Sequence, residues 1–179
     1  LSQVYPIARG TAPLLAMLAT FAISHDALSP LAIAGILVLI GGIWLVAVDR
    51  ASANRLDHVS LMFALVTSLF IAAYTIVDGL GGRTSGNASG YAGLVFLLDA
   101  IFLTGWAVWR RGTGVFRLVL PHWKQGMLGA GLSAGAYWIV IWAMTQAPIA
   151  TIAALRETSI LFVMAMSARY LQERISPAR

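Results

Sequence analysis

Cysteine is absent from this chain of 179 residues, and charge is scarce, at 11% of the residues. Without cysteine there is no disulfide, no thiolate metal ligand and no cysteine nucleophile. The shortage of charge excludes more. A soluble domain carries about 25% charged residues, whereas here 59% are hydrophobic and the mean hydropathy is +0.82. Such a chain cannot clothe itself in a polar surface, so the lipid bilayer must be its solvent. His25, His58 and His122 stand in separate joints without ligand spacing, so no metal site is expected. The G-x-x-x-x-G-K-[ST] phosphate loop is missing too, and no cofactor is expected.

What the chain does contain is long apolar runs. A membrane-crossing helix needs about 20 mostly apolar residues. Six stretches qualify, at 4–23, 30–48, 59–79, 91–109, 126–146 and 149–171. They predict an all-α polytopic membrane protein with six transmembrane helices. The joints, HDALSP, DRASANRLDH, GGRTSGNASG, the basic stretch Arg110–Gln125 and TQAP, hold the residues that break helices. Thr84–Gly90 reads as the most flexible linker. No basic n-region or cleavage site precedes the first run, so it does not read as a signal peptide. The final Ser-Pro, after which the first copy of this pattern continues into another apolar run, suggests an interior piece of a longer protein.

The formal charge of +5 raises a nucleic-acid reading, but the basic residues sit between apolar runs. Flanks of membrane spans account for them better, and no nucleic-acid partner is expected. With six alternating spans, one side receives Arg50, Arg55, Arg110, Arg111, Arg117, Lys124, Arg169, Arg174 and Arg179. The other receives Arg83 alone. This skew places the basic side in the cytoplasm.

Arg9 and Arg156 fall inside apolar runs, and sliding the chain by 147 residues superimposes them. The same offset brings Thr11 onto Thr158, Asp26 onto Glu173 and Ser29-Pro30 onto Ser176-Pro177. Matched arginines within spans are the pattern of an internally duplicated transporter. Ionisable side chains in spans face a cavity or a partner, although a long arginine also snorkels toward the headgroups. Glu157 adjoins Arg156, and neighbours on a helix do not face each other, so it must find a partner on another helix or protonate. A protonatable carboxylate there would couple transport to a proton. Asp78 and Asp99 are candidates to pair with an arginine or to relay protons.

Other side chains complete the candidate path. Pro13 bends or breaks the first helix. Tyr74 and Thr75 sit in the third run, and Tyr137, Trp138 and Trp142 in the fifth, either as packing or as an aromatic wall facing a ligand. Gly131 and Gly135, after Gly126 and Gly129, and Gly35, Gly41 and Gly42 in the second run, are spaced for close helix packing. Gly131–Gly135 also matches G-x-S-x-G around Ser133, but a nucleophile elbow needs a strand before the serine. A mid-helix serine does not provide that, and the chain does not read as an enzyme.

YPIARGTAPLL followed by LSPLAIAGILVLIGGIWLV resembles the end of an EamA repeat, and APIATIAALRETSILFVMAMSARYLQERISP resembles the same region of a second repeat. EamA repeats build the drug/metabolite transporter superfamily, typically ten spans in two five-helix inverted repeats. The resemblance implies that 1–50 ends the first repeat, that 51–58 is a linker, and that 59–179 is a second repeat lacking its last helix. HDALSP lacks the family's Gly-Glu-Arg joint. The resemblance further implies a central cavity with Arg9, Thr11, Tyr74, Tyr137, Trp138, Arg156, Glu157 and Thr158 as substrate-path candidates. It also implies both termini in the cytoplasm, which opposes the basic-residue skew and leaves orientation open. The expected function is secondary transport, as an exporter of metabolites, amino acids or amphipathic compounds across a bacterial inner membrane, with an anionic group attracted by the arginines. A homodimer through the glycine faces stays open. The alternatives are a non-transporting scaffold or receptor, and, more remotely, an intramembrane serine hydrolase using Ser133.

Overall fold

The computed structural model describes residues 4–23, 26–52, 58–159 and 162, and every element among them is helical. The helices are α1 (Val4–Ile23), α2 (Pro30–Ser52), α3 (His58–Thr84), α4 (Ala88–Arg111), α5 (Val115–Val119), α6 (Trp123–Gln146) and α7 (Ile149–Glu157), with one 3₁₀ turn at Leu120–His122. α3, α4 and the run Val115–Gln146 are long and apolar enough to cross a membrane. Ala8–Ile23 and Pro30–Ile43 are shorter apolar helices. These are the marks of an integral membrane protein. The stretch expected as a span at 149–171 lies largely outside the described residues beyond Ser159.

Local chemistry explains the helix ends. Ser29 precedes Pro30, whose fixed φ suits the first helical position, and the Ser29 hydroxyl accepts the Ala32 N–H at 3.2 Å. Asn87 caps α4 by accepting the Gly90 N–H at 2.9 Å, while Gly86 takes φ +65° in the turn before it. Thr84–Gly90 is therefore a hydrogen-bonded turn between two helices rather than a loose linker. The expectation fails because Asn and Gly are turn formers as well as linker residues. The Arg110–Gln125 joint is likewise mostly helical, interrupted where Gly112 adopts φ +67° and donates its N–H to the Val108 carbonyl at 2.7 Å. Pro13 neither ends nor breaks α1, which runs through it.

Two compact units result. The first gathers α1, α2, α7 and α3 as far as Asp78, and the second spans Gly79–Gln146. In the first unit the contact faces are stripes of small residues. α1 buries Ala8, Ala12, Ala16 and Thr20, and α3 buries Ala64, Ser68, Ala72 and Thr75. Their spacings of three and four place each set on one helix face. Ala16, Ala72 and Ala153 meet in one cluster. Ile36 and Ile40 of α2 pack with Ala150 and Ala154 of α7, with Leu14, Met17 and Leu28 against them. No hydrophobic force separates helix from lipid, so close backbone approach and dispersion hold such faces together. Large apolar side chains point away instead, Phe70, Val77 and Phe102 each being more than half exposed.

The glycines expected to pack have no close neighbour among the described residues of the chain. A Cβ built on Gly35, Gly41, Gly42, Gly126, Gly129, Gly131 or Gly135 meets nothing within 4 Å among the described residues. The close approaches are at Gly81, where the Tyr91 ring occupies the place of a side chain, and at Gly82, whose Cβ would lie 3.0 Å from Ile141 Cγ2. Spacing identifies a permissive helix face but not whether a neighbour uses it. Gly82→Val is expected to cost about 1–3 kcal/mol by overpacking. Gly131→Ala should be neutral or stabilising, because Ala favours a helix interior by about 1 kcal/mol. Thermal unfolding in detergent, followed by near-UV circular dichroism, measures both, and equal destabilisation would contradict the packing described.

Candidate functional site

The first unit carries the charged residues of the apolar interior. Glu157 ends α7 with its side chain wholly buried, 0% exposed. Arg9, two turns into α1, reaches it with a single guanidinium nitrogen, Nη1, which donates to Oε1 at 3.2 Å and Oε2 at 3.1 Å. The carboxylate thus finds its partner on another helix, as its position required. Arg156 comes to the same carboxylate from the neighbouring position, its Nε 3.6 Å from Oε1. Neighbours on a helix were expected not to meet. They approach here because the long arginine stem brings Nε back alongside the Glu157 carboxylate. The approach is an ion pair without a hydrogen bond, and Arg156 Nε is buried with no hydrogen-bond partner among the described residues.

α3 supplies the rest of the surroundings. The Thr75 hydroxyl donates to the Ile71 carbonyl at 2.6 Å, which leaves its lone pairs to accept Arg156 Nη2 at 3.5 Å. That distance is at the limit for a hydrogen bond. Tyr74, one residue earlier and partly exposed, places its ring 5.8 Å from the Arg156 guanidinium carbon, within cation–π range. Next to Arg9, the Ala8 carbonyl accepts from Ser68 Oγ at 3.1 Å, the same hydroxyl lying 2.8 Å from the Ala64 carbonyl. Ser68 is fully buried and fixes α3 against α1 beside the arginine. Asp26 performs the equivalent task for α7. Its Oδ2 accepts the Ile149 N–H at 3.2 Å, setting a negative charge at the helix N-terminus.

Of the sequence-predicted candidates, Arg9, Arg156, Glu157 and Tyr74 are brought together. Thr11 is buried on α1 with its hydroxyl lacking a hydrogen-bond partner among the described residues. Thr158 spends its hydroxyl on the Leu155 carbonyl at 2.6 Å. Tyr137 and Trp138 belong to the second unit. There Tyr137 meets Phe96 edge-on at 6.1 Å, and Trp138 Nε1 donates to Ser89 Oγ at 3.0 Å. Asp78 is buried on α3 and Asp99 is exposed on α4. Ser133 lies inside α6, with helix on both sides where an elbow would need a strand. Ser68 was not singled out from the sequence, and Asp26 was noted only as the counterpart of Glu173 at the 147-residue offset. A signal for Ser68 existed in the three-and-four spacing of Ala64, Ser68, Ala72 and Thr75 along an otherwise bulky helix.

The triad Arg9–Glu157–Arg156 contains two positive groups and one negative. At the 147-residue offset Glu157 falls on Gly10, so only one copy of the pattern has the carboxylate. Among the described residues, Arg9 donates the hydrogen bonds to that carboxylate, and Arg156 makes long contacts with its Nε–H unused. Breaking a buried pair leaves an uncompensated charge, so Arg9→Gln and Glu157→Gln are each expected to cost about 3 kcal/mol. The double variant should cost less than the sum by about 1 kcal/mol or more, because the two side chains act as one unit. Thermal unfolding across the four proteins gives the coupling, and additive losses would show that the contact is not energetically real.

No family model, curated protein or solved structure matches the chain, and the geometry of this triad therefore carries the functional reading.

Proposed function

We propose that this chain is the central part of a secondary transporter of the drug/metabolite transporter superfamily, comprising six of ten spans in two inverted EamA repeats. On this reading it sits in a bacterial inner membrane and exports small metabolites, amino acids or amphipathic compounds that bear an anionic group. Transport proceeds by alternating access, as the repeat halves rock about a site near the midplane, without covalent chemistry or a cofactor.

The observation that supports this most is the unequal state of the two arginines. A guanidinium within an apolar helical unit is costly unless paired and hydrogen-bonded. Arg9 meets that requirement through Glu157. Among the described residues Arg156 meets it poorly, with one hydrogen bond at 3.5 Å, an ion pair at 3.6 Å and an unpartnered Nε. A solute carboxylate would complete its coordination, with the partly exposed Tyr74 ring beside it for apolar contact. Binding that carboxylate replaces a weak internal contact, so the site gains most from an anion and little from a neutral analogue.

The test is counterflow in proteoliposomes with the full-length parent protein and a panel of amino acids and carboxylated metabolites. Arg156→Ala is expected to lower apparent solute affinity by roughly tenfold to a hundredfold, the worth of a hydrogen bond to a charged group. Membrane insertion and helix content should be unchanged. A parallel fall in flux and folded yield would make Arg156 structural. Absence of flux from well-folded parent protein would favour a scaffold or receptor.

A further inference from the structure

We propose that the joint between α4 and α6, Arg110–Lys124, is a docking surface for the headgroups of anionic phospholipids. It carries Arg110, Arg111, Arg117 and Lys124, all exposed, and no Asp or Glu occurs anywhere from residue 100 to residue 156. The surface is therefore positive without internal compensation.

Length places this joint at the membrane surface. The run Val115–Gln146 has 32 residues, about 48 Å of helix, against a hydrocarbon thickness of about 30 Å. α6 alone, with 24 residues, spans about 36 Å. The five residues of α5 and the three of the 3₁₀ turn are surplus to the crossing and bury nothing. Their apolar side chains are open, with Phe116 48%, Leu118 65% and Leu120 67% exposed.

The aromatic residues agree with this depth. Trp106 and Trp109 meet in the last turns of α4 with ring centroids 5.4 Å apart and planes tilted by 58°, and the Arg110 guanidinium lies 5.8 Å from the Trp106 ring. Lys124 stands at 5.8 Å over Trp123 on the other side of the joint. Tryptophan prefers the headgroup level, and cations held over its face stay at that level. Cations alternating with exposed Phe, Leu and Trp require a partner that offers phosphate and hydrocarbon together. A soluble polyanion offers only the first, whereas an anionic lipid leaflet offers both.

The experiment uses the full chain in vesicles that mix phosphatidylglycerol and phosphatidylcholine, with bromine on the acyl chains of one lipid at a time to quench tryptophan. Brominated phosphatidylglycerol is expected to quench more than brominated phosphatidylcholine at equal mole fraction, with the difference shrinking as salt rises. Replacing Arg110, Arg111, Arg117 and Lys124 together by Gln should abolish the preference. Arg117→Gln alone should lower the local lipid preference roughly fivefold. Replacing the three arginines by Lys should retain it, and far-UV circular dichroism checks that each variant stays helical. Equal quenching by the two lipids in the unaltered protein would overturn the proposal. So would a preference that survives loss of all four cations, or one removed by inorganic phosphate at matched ionic strength.

Discussion

A fully buried carboxylate on the last turn of a short helix is the constraint on which the first unit depends. Glu157 cannot be solvated where it lies, so a cation must come to it. The cation that comes, Arg9, belongs to a helix almost the whole chain away in sequence. That requirement fixes the register of α1 against α7, because moving either by one residue would turn the ion pair away from its partner. The alanine contacts can tolerate such a slip more easily than the charges can. Apolar packing holds these helices together, and the ion pair selects which of several similar packings is adopted.

Small side chains make the pairing geometrically possible. Ala8, Ala12 and Ala16 on α1 and Ala150, Ala153 and Ala154 on α7 leave room for the backbones to approach. A leucine at any of these positions would hold the helices apart and draw the charges out of reach of each other. The hydroxyls obey the same economy of space. Thr20 returns its hydrogen to the Ala16 carbonyl at 2.7 Å and Thr75 to the Ile71 carbonyl, so each is satisfied within its own helix. Ser68 also reaches the Ala8 carbonyl and so connects α3 to the arginine helix.

The sequence made the helical class, the apolar character and most helix positions legible, because length and hydropathy decide those locally. Arg9, Arg156 and Glu157 were legible as well, since charge inside an apolar run is conspicuous. Their arrangement was not. Nothing in the adjacency of Arg156 and Glu157 says that the arginine stem would fold back to the carboxylate, and nothing near Asp26 says that it would cap a helix starting at Ile149. The glycines misled for a related reason. Gly131 and Gly135 offer a thin face, but a thin face matters only where another helix lies against it, and that is settled by tertiary structure. Gly81 and Gly82, which the sequence assigns to a joint rather than to a packing face, are the ones that meet a side chain of another helix among the described residues.

The 147-residue offset puts an arginine at the same place in two stretches, yet the two have different physical states. Position 157 is a glutamate and its counterpart, position 10, is a glycine. Had both been acidic, each arginine would have its own carboxylate and the triad would be a neutral pair of pairs with nothing left to bind. Had both been glycine, two unneutralised guanidinium groups would repel each other within one apolar unit, at a cost helix packing could not offset. One carboxylate for two arginines is the intermediate case. It neutralises enough charge to let the helices close, and among the described residues it leaves Arg156 Nε without a hydrogen-bond partner beside an accessible tyrosine ring. On the transporter reading proposed above, a solute carboxylate would compete with Glu157 for the same cation, a condition for binding that is selective yet reversible.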